Sequence, residues 1–252
     1  MGDRVLQRLD HSIAADIDRD IFRVAVMGPD PFMYYRFFAP HFRRGIHRRS
    51  STMHMKKPQQ FLMELAKRSS SREMFSYFAG FLCHYALDST VHPFINKMSG
   101  HRVYMHIAIE RRMDAAELKR QGKQRKEIMQ LFTKSPDLTE AQMAMQAVYG
   151  WDDDFYSIGY RYMKLYHLIA KDQHGVLRWL LRPFKKLSAV PFDTKRADHL
   201  DLRPLDALVE DAVEMGTQLV SAAYRFREGG ISAEELQELI GRRNYAGGEA
   251  AG

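Results

Sequence analysis

Residues 70–93 read SSREMFSYFAGFLCHYALDSTVHP. The stretch opens on Ser70 and Glu73, spaced as a capping box in which a hydroxyl and a carboxylate satisfy the free N–H groups of a helix start. An apolar block with no period-2 alternation follows, which argues for a helix and against a strand. Pro93 closes it, because a proline ring pushes the preceding residue out of the α region. The reading is a helix over 71–90 with His92 as its cap. Working outward, Thr139 with Gln142 and Ser232 with Glu235 repeat the capping pattern, and Pro58 and Pro204 sit where a first helical turn accepts proline. Apolar spacing between these marks predicts helices near 3–20, 58–68, 71–90, 102–120, 139–149, 153–171, 174–187, 204–228 and 232–242. The expected fold class is all-α. No linker is visible, so one multi-helix domain over 1–245 is expected, with an exposed connection at 121–138 and a flexible tail at 246–252.

The chain has 252 residues, 45% hydrophobic and 27% charged, which excludes disordered, collagenous, coiled-coil and mucin-like classes. No apolar run approaches the roughly 20 residues of a spanning helix. The first turns carry Asp3, Arg4, Asp10, Asp16, Asp18, Arg19 and Asp20, too charged for a signal peptide, so a cytoplasmic protein is expected. The single cysteine, Cys83, lies in the apolar run Phe78 to Leu87, where a buried, redox-silent thiol is the simplest reading. A net charge of +7 favours anionic partners such as phosphate esters, nucleic acid or an acidic membrane face. The charge is uneven: residues 31–63 hold no acid but include Arg36, Arg43, Arg44, Arg48, Arg49, Lys56 and Lys57. Residues 176–187 mix Trp179, Leu180, Leu181 and Phe184 with Arg178, Arg182, Lys185 and Lys186, the composition of an interfacial helix, interrupted by Pro183. Both segments are candidates for peripheral contact with an anionic membrane.

Eight of the eleven histidines, at 11, 41, 47, 54, 84, 92, 101 and 106, precede residue 111. His84 with Asp88 and His106 with Glu110 have the i,i+4 spacing that puts both side chains on one helix face. Two such pairs are close to what eleven histidines and 31 acids give by chance, so spacing alone decides nothing. Their apolar surroundings say more, because a buried carboxylate without a partner is costly; either metal ligation or buried ion pairs follow. His92 lies one further turn along from Asp88. Asp30, in Gly28-Pro29-Asp30-Pro31-Phe32, reads by itself as an Asx turn.

Taken in order, Val26 to Phe32, Met53-His54, the string Gly80 to Pro93 with its H-Y-A-L-D-S-T-x-H-P core, and His106-x3-Glu110 resemble the zinc-dependent phospholipase C family, in its short bacterial branch. The resemblance spans roughly residues 3–115. It implies an all-α fold and a zinc cluster that cleaves phosphodiester bonds of phospholipids, with single-strand nucleases as relatives of the same architecture. Carried over, Asp30, His54, His84 and Asp88 form one zinc site, with Asp88 able to bridge. His92, His106 and Glu110 form a second. Asp30 is also placed as the catalytic general base for the attacking water. His47 is the rival to His54. The gap of four from Asp88 to His92 is shorter than in secreted members, which implies a different local backbone. The resemblance implies a third zinc held by the N-terminal residue and an early histidine; Met1 to Leu6 reads as the middle of a first helix, so the expectation is either a start site further upstream or loss of that ion, with His11 as the available substitute.

The implied activity is a zinc-dependent hydrolase making an in-line attack on phosphorus, acting on a phospholipid or a smaller phosphodiester. Arg43, Arg44, Arg48, Arg49 and Lys56 are candidate phosphate or surface contacts, and Tyr34, Tyr35, Phe37 and Phe38 candidate pocket walls. The alternatives are a non-catalytic, metal-stabilised helical domain that binds acidic membrane or nucleic acid, and a nuclease with the same metal chemistry. No aromatic or Arg-Gly pattern marks base recognition.

Overall fold

The structure, a computed structural model, describes residues 1–35, 43–122, 137–171 and 197–249. The expected helix at 174–187, with its proposed membrane contact, lies outside these residues, as do Arg36, Phe37, Phe38, His41, His174 and most of the 121–138 connection. The described residues form twelve helices: α1 (Gly2–Arg8), α2 (His11–Asp16), α3 (Arg19–Ala25), α4 (Pro31–Tyr34), α5 (Arg43–Met55), α6 (Pro58–Lys67), α7 (Arg72–Ser99), α8 (Val103–Arg120), α9 (Thr139–Tyr149), α10 (Phe155–Lys171), α11 (Pro204–Arg227) and α12 (Ala233–Ile240). Among them there is no strand, only an isolated bridge between Arg243 and Glu249. The all-α expectation holds. No described helix is long and apolar enough to cross a membrane.

The axis of the fold is α7, buried along most of its 28 residues and packed on α11, α3, α8, α6 and α1. Phe75, Phe78, Phe81, Leu82, Cys83 and Tyr85 are buried in the main cluster, and burial pushes the Cys83 thiol up to about 12, well out of reactive range. Gly80 is where α3 crosses: a Cβ there would stand 2.3 Å from the Phe22 carbonyl oxygen and 2.7 Å from the Ala25 Cβ. Only hydrogen fits, so the two backbones meet there.

Several boundaries differ from the sequence reading. The single helix expected over 3–20 is broken into α1, α2 and part of α3. Its apolar positions, Val5, Leu6, Leu9, Ile13 and Ile17, are buried as the period requires, but Leu9 and Ile17 are extended. Asp18 caps α3 by accepting the Asp20 and Ile21 N–H groups, so a local cap interrupts a valid hydrophobic period. At α7 the capping hydroxyl is Ser71, not Ser70, and it accepts from the Met74 N–H. Thr139 lies inside α9; Asp137 accepts its N–H instead. The Ser232–Glu235 box and the first-turn positions of Pro58 and Pro204 are as expected.

The main correction is that α7 does not stop before Pro93 but runs through it to Ser99. An interior proline forfeits one helical hydrogen bond at a cost of about 3 kcal/mol. Here the turns on both sides are held by burial of Val91 and Ile95 against Ala108, Ile109, Leu205 and Val209. His92 is therefore an interior helical residue, not a cap. Helices α4 and α5 were not foreseen. Residues 31–63 carry a charge signal, not a clear apolar period, and α5 is held by its neighbours α4 and α6.

Candidate metal centre

The continuous helix explains the short spacing of its acids and histidines. His84, Asp88 and His92 succeed one another at intervals of four on α7, so all three project from one face, one turn apart. Asp88 Oδ2 lies 3.1 Å from His84 Nε2 and 3.7 Å from His92 Nδ1. It also lies 3.3 Å from Nε2 of His54, which the last turn of α5 brings in from the side. His54 Nε2 is in turn 3.7 Å from Asp30 Oδ1. On the other side of Asp88, α8 presents His106 and Glu110. Glu110 Oε1 is 3.0 Å from His106 Nε2 and 3.2 Å from His92 Nε2. Two donor groups result, Asp30/His54/His84 and His92/His106/Glu110, with Asp88 between them.

The ring orientations are set by backbone carbonyls. His84 Nδ1 donates to the Val26 carbonyl, a free acceptor at the end of α3, at 3.0 Å. His54 Nδ1 donates to the Ser50 carbonyl at 2.7 Å. With Nδ1 committed to a carbonyl, both rings turn Nε2 inward, and as neutral imidazoles they offer there the lone pair of the tautomer that metal-ligating histidines adopt. His84 Nε2 is buried and, among the described residues, makes no hydrogen bond of ordinary geometry, although Asp88 Oδ2 lies 3.1 Å away. Two acceptors at this separation require a cation between them. A proton serves one pair at a time, whereas Asp88 Oδ2 faces three imidazoles. Two divalent ions, one in each donor group with Asp88 between them, would satisfy all of them. Ligand atoms about 2.0–2.2 Å from a tetrahedral zinc lie about 3.3–3.6 Å apart, close to the spacings here. Imidazole and carboxylate are donors that zinc accepts readily. The residues fit the metal.

Without metal, charge pairing is the remaining way to satisfy the cluster. Burial raises the Asp88 carboxyl, but His84, His92 and His54 outweigh it and hold Asp88 well below the ordinary carboxylate range. Burial likewise opposes charge on His54 and His84, and the Asp88 and Asp30 carboxylates reverse this to raise both. His92 is raised to about 9 and Glu110 lowered to about 2 by their mutual pairing and by Asp88 and His106, against desolvation. Asp30 alone among the acids moves upward, chiefly by desolvation. Its side chain, 32% exposed, and that of Glu110, 36% exposed, stand at the rim, whereas Asp88 at 9% forms the floor. The cluster is therefore open on one side.

Asp30 owes its place to the turn before α4. Its carboxylate does not cap that helix, which corrects the Asx-turn reading and leaves the side chain to face His54. The Tyr156 hydroxyl donates to the Gly28 carbonyl at 2.7 Å and itself accepts from Tyr77, fixing the turn from below. Gly28 has φ 50°, and a Cβ there would come within 2.3–2.8 Å of the His84 ring. Gly28→Ala is expected to cost about 1–2 kcal/mol in left-handed strain and to tilt His84 off its carbonyl. The check is denaturant unfolding together with metal content; unchanged metal content would show that the His84 ring has room to spare.

His47 directs Nε2 to the Tyr35 carbonyl at 2.9 Å and belongs to neither group, whereas His54 belongs to the first. His11, the possible ligand of a third ion, is exposed on α2 and also in neither group, as is His101. Arg49 pairs with Asp153 and stacks on Trp151, which commits it to packing rather than to phosphate; Arg48 and Lys56 are exposed. Tyr35 packs edge-on against Phe155 and Tyr162. Sequence reasoning missed Tyr245, whose buried ring lies edge-on to His54, and Tyr156 under the turn. An aromatic in a glycine-rich tail gives no periodic signal.

The family model described as zinc dependent phospholipase C matches residues 8–162, which include all seven of these acids and histidines. Among the curated proteins and solved structures compared with the chain, none matches.

Proposed function

Because the chain belongs to the zinc dependent phospholipase C family, we propose that it is a zinc-dependent phosphodiesterase whose substrate is a phospholipid or a smaller ester of the same kind. The observation that supports this reading best is Asp88, one carboxylate oxygen facing three imidazole nitrogens between two donor groups. In this reading Asp30, His54, His84 and Asp88 hold one zinc ion, and His92, His106 and Glu110 hold a second with Asp88 at the junction. Bound zinc supplies an activated water at neutral pH and polarises the phosphoryl oxygens.

The chain's own residues supply position and proton handling. Val26 and Ser50 carbonyls keep His84 and His54 in the ligating tautomer. Asp30 stands at the open rim, 3.7 Å from His54 Nε2, where its second carboxylate oxygen is placed to take the proton of the attacking water. The buried floor of Asp88 and His84 excludes bulk solvent from one side, so a phosphodiester approaches from the side of Asp30 and Glu110.

The test is metal content by mass spectrometry on protein purified without chelator, with His84→Ala/Glu110→Ala in parallel. Phosphatidylcholine vesicles, a small aryl phosphodiester and single-stranded DNA are then assayed. Two zinc ions per chain, lost in the double variant, with turnover of phosphatidylcholine or the small diester, is the expected result. Turnover of DNA alone assigns the nuclease reading; zinc without any turnover assigns the non-catalytic one.

A further inference from the structure

His54 stands one residue before the end of α5, where helical carbonyls have no partner within the helix. The His54 carbonyl accepts the Tyr245 N–H at 2.9 Å, from a residue 191 positions later in the chain. The segment that delivers Tyr245 reaches the expected flexible tail at 246, and through Glu249 it forms a hydrogen-bonded turn. Asn244 Oδ1 accepts the N–H groups of Ala246 and Gly248, and Asn244 Nδ2 donates to the Glu249 carbonyl. The turn is seated on α7 at two points. The Tyr85 hydroxyl shares its hydrogen between the Ile240 and Arg243 carbonyls, and Gly247, at φ 79°, presses on Pro93. A Cβ on Gly247 would stand 2.3 Å from Pro93 Cγ and 2.9 Å from the Ser89 carbonyl oxygen.

From this seat the Tyr245 ring enters the metal centre from behind. It lies edge-on to His54, with centroids 5.0 Å apart, and 5.7 Å from His84. It is buried, and among the described residues its hydroxyl has no hydrogen-bond partner. A buried phenol with nothing to bond is an expensive way to fill space, and phenylalanine would fill it at lower cost. What the Tyr245 N–H and ring do is hold one ligand by its backbone and pack against two imidazole rings.

We propose that residues 241–249 form a strap and that Tyr245 is a positioning residue for the Asp30/His54/His84 metal group. The strap fixes His54, the ligand whose helix ends at the site, against the rigid stripe on α7. It lies outside residues 8–162, which match the family model. The proposal rests on the reading of the cluster as a metal centre.

The experiment uses the full chain with Tyr245→Leu, Tyr245→Phe and Gly247→Val. Zinc affinity is measured by competition with a chromogenic chelator, stoichiometry by mass spectrometry and folding by circular dichroism. Tyr245→Phe is expected to match the parent. Tyr245→Leu is expected to keep its helicity and one tight zinc while binding the other about 10–100-fold more weakly, the usual effect of losing a group that orients a ligand. Gly247→Val, which keeps the Tyr245 side chain in the sequence but unseats the turn that carries it, is expected to do the same. Folded variants holding both ions at parental affinity overturn the proposal. Equal weakening of both ions without rescue by phenylalanine also overturns it, as general loosening. Loss of folding in both Tyr245→Leu and Gly247→Val overturns it too, the turn then being part of the fold and not of the site. A parent chain that binds no zinc overturns the metal reading itself and this proposal with it, an outcome distinct from the others.

Discussion

Asp88→Ala is expected to leave the chain unable to hold zinc at full stoichiometry and to lower the stability of the metal-free protein by about 3–5 kcal/mol, the cost of removing one member of a buried ion cluster. The reason is its central place. Asp88 Oδ2 is the carboxylate oxygen that His54, His84 and His92 all face, and its side chain is almost wholly buried. Without it, three imidazoles whose charge it supports are left in a desolvated recess. Glu110→Ala takes a carboxylate from the rim, shared by two histidines, and is expected to cost less. The check is urea unfolding in chelator beside metal content of the purified variants. Equal losses for the two substitutions, or undiminished zinc in Asp88→Ala, would remove Asp88 from the centre of the site.

The second large effect is a reversal of pH dependence by metal. In the metal-free chain His92 is raised from 6.5 to about 9, so its stabilising charge is fully present below about pH 6.5 and is lost as pH rises through 9. His54 and His84 are raised as well and act in the same direction. Glu110, lowered from 4.5 to about 2, contributes fully above about pH 4.5 and loses that contribution as pH falls through 2. The metal-free protein is therefore expected to be most stable between about pH 4.5 and 6.5 and to lose on the order of 2 kcal/mol toward pH 9. Zinc needs the neutral imidazoles and competes with those protons, so its binding tightens over the same interval. At a thousandfold excess over Kd each ion stabilises the fold by about 4 kcal/mol. Melting curves with chelator and with zinc, recorded from pH 6 to 8.5, are expected to diverge as pH rises. Parallel curves would mean that the histidines are not the ligands.

How much of this was legible beforehand varied with the range of the interaction involved. The H-Y-A-L-D-S-T-x-H-P string lies within a single helix, so its i,i+4 geometry is a local property and could be read directly. Asp30 and His54 were identified through resemblance alone; their own neighbourhoods read as a turn and a basic stretch. Pro93 misled, because the rule for the residue before proline is a backbone preference of limited strength, and packing of Val91 and Ile95 outweighs it. The opposite failure occurred at 3–20, where apolar spacing persisted across Leu9 and Ile17 although the helix did not.

The all-α class, the burial of α7 and the pairing of histidines with acids on two helices follow from residue order, because each depends on spacing within a few turns. Tertiary structure alone decided which groups meet. Gly80 lets α3 approach α7, and this brings the Val26 carbonyl to His84. The end of α5 brings His54 to Asp88, and a turn near the C-terminus brings Tyr245 to His54. These contacts join residues far apart in the chain, and their strength comes from burial and from orphaned carbonyls at helix ends, neither of which a local pattern encodes.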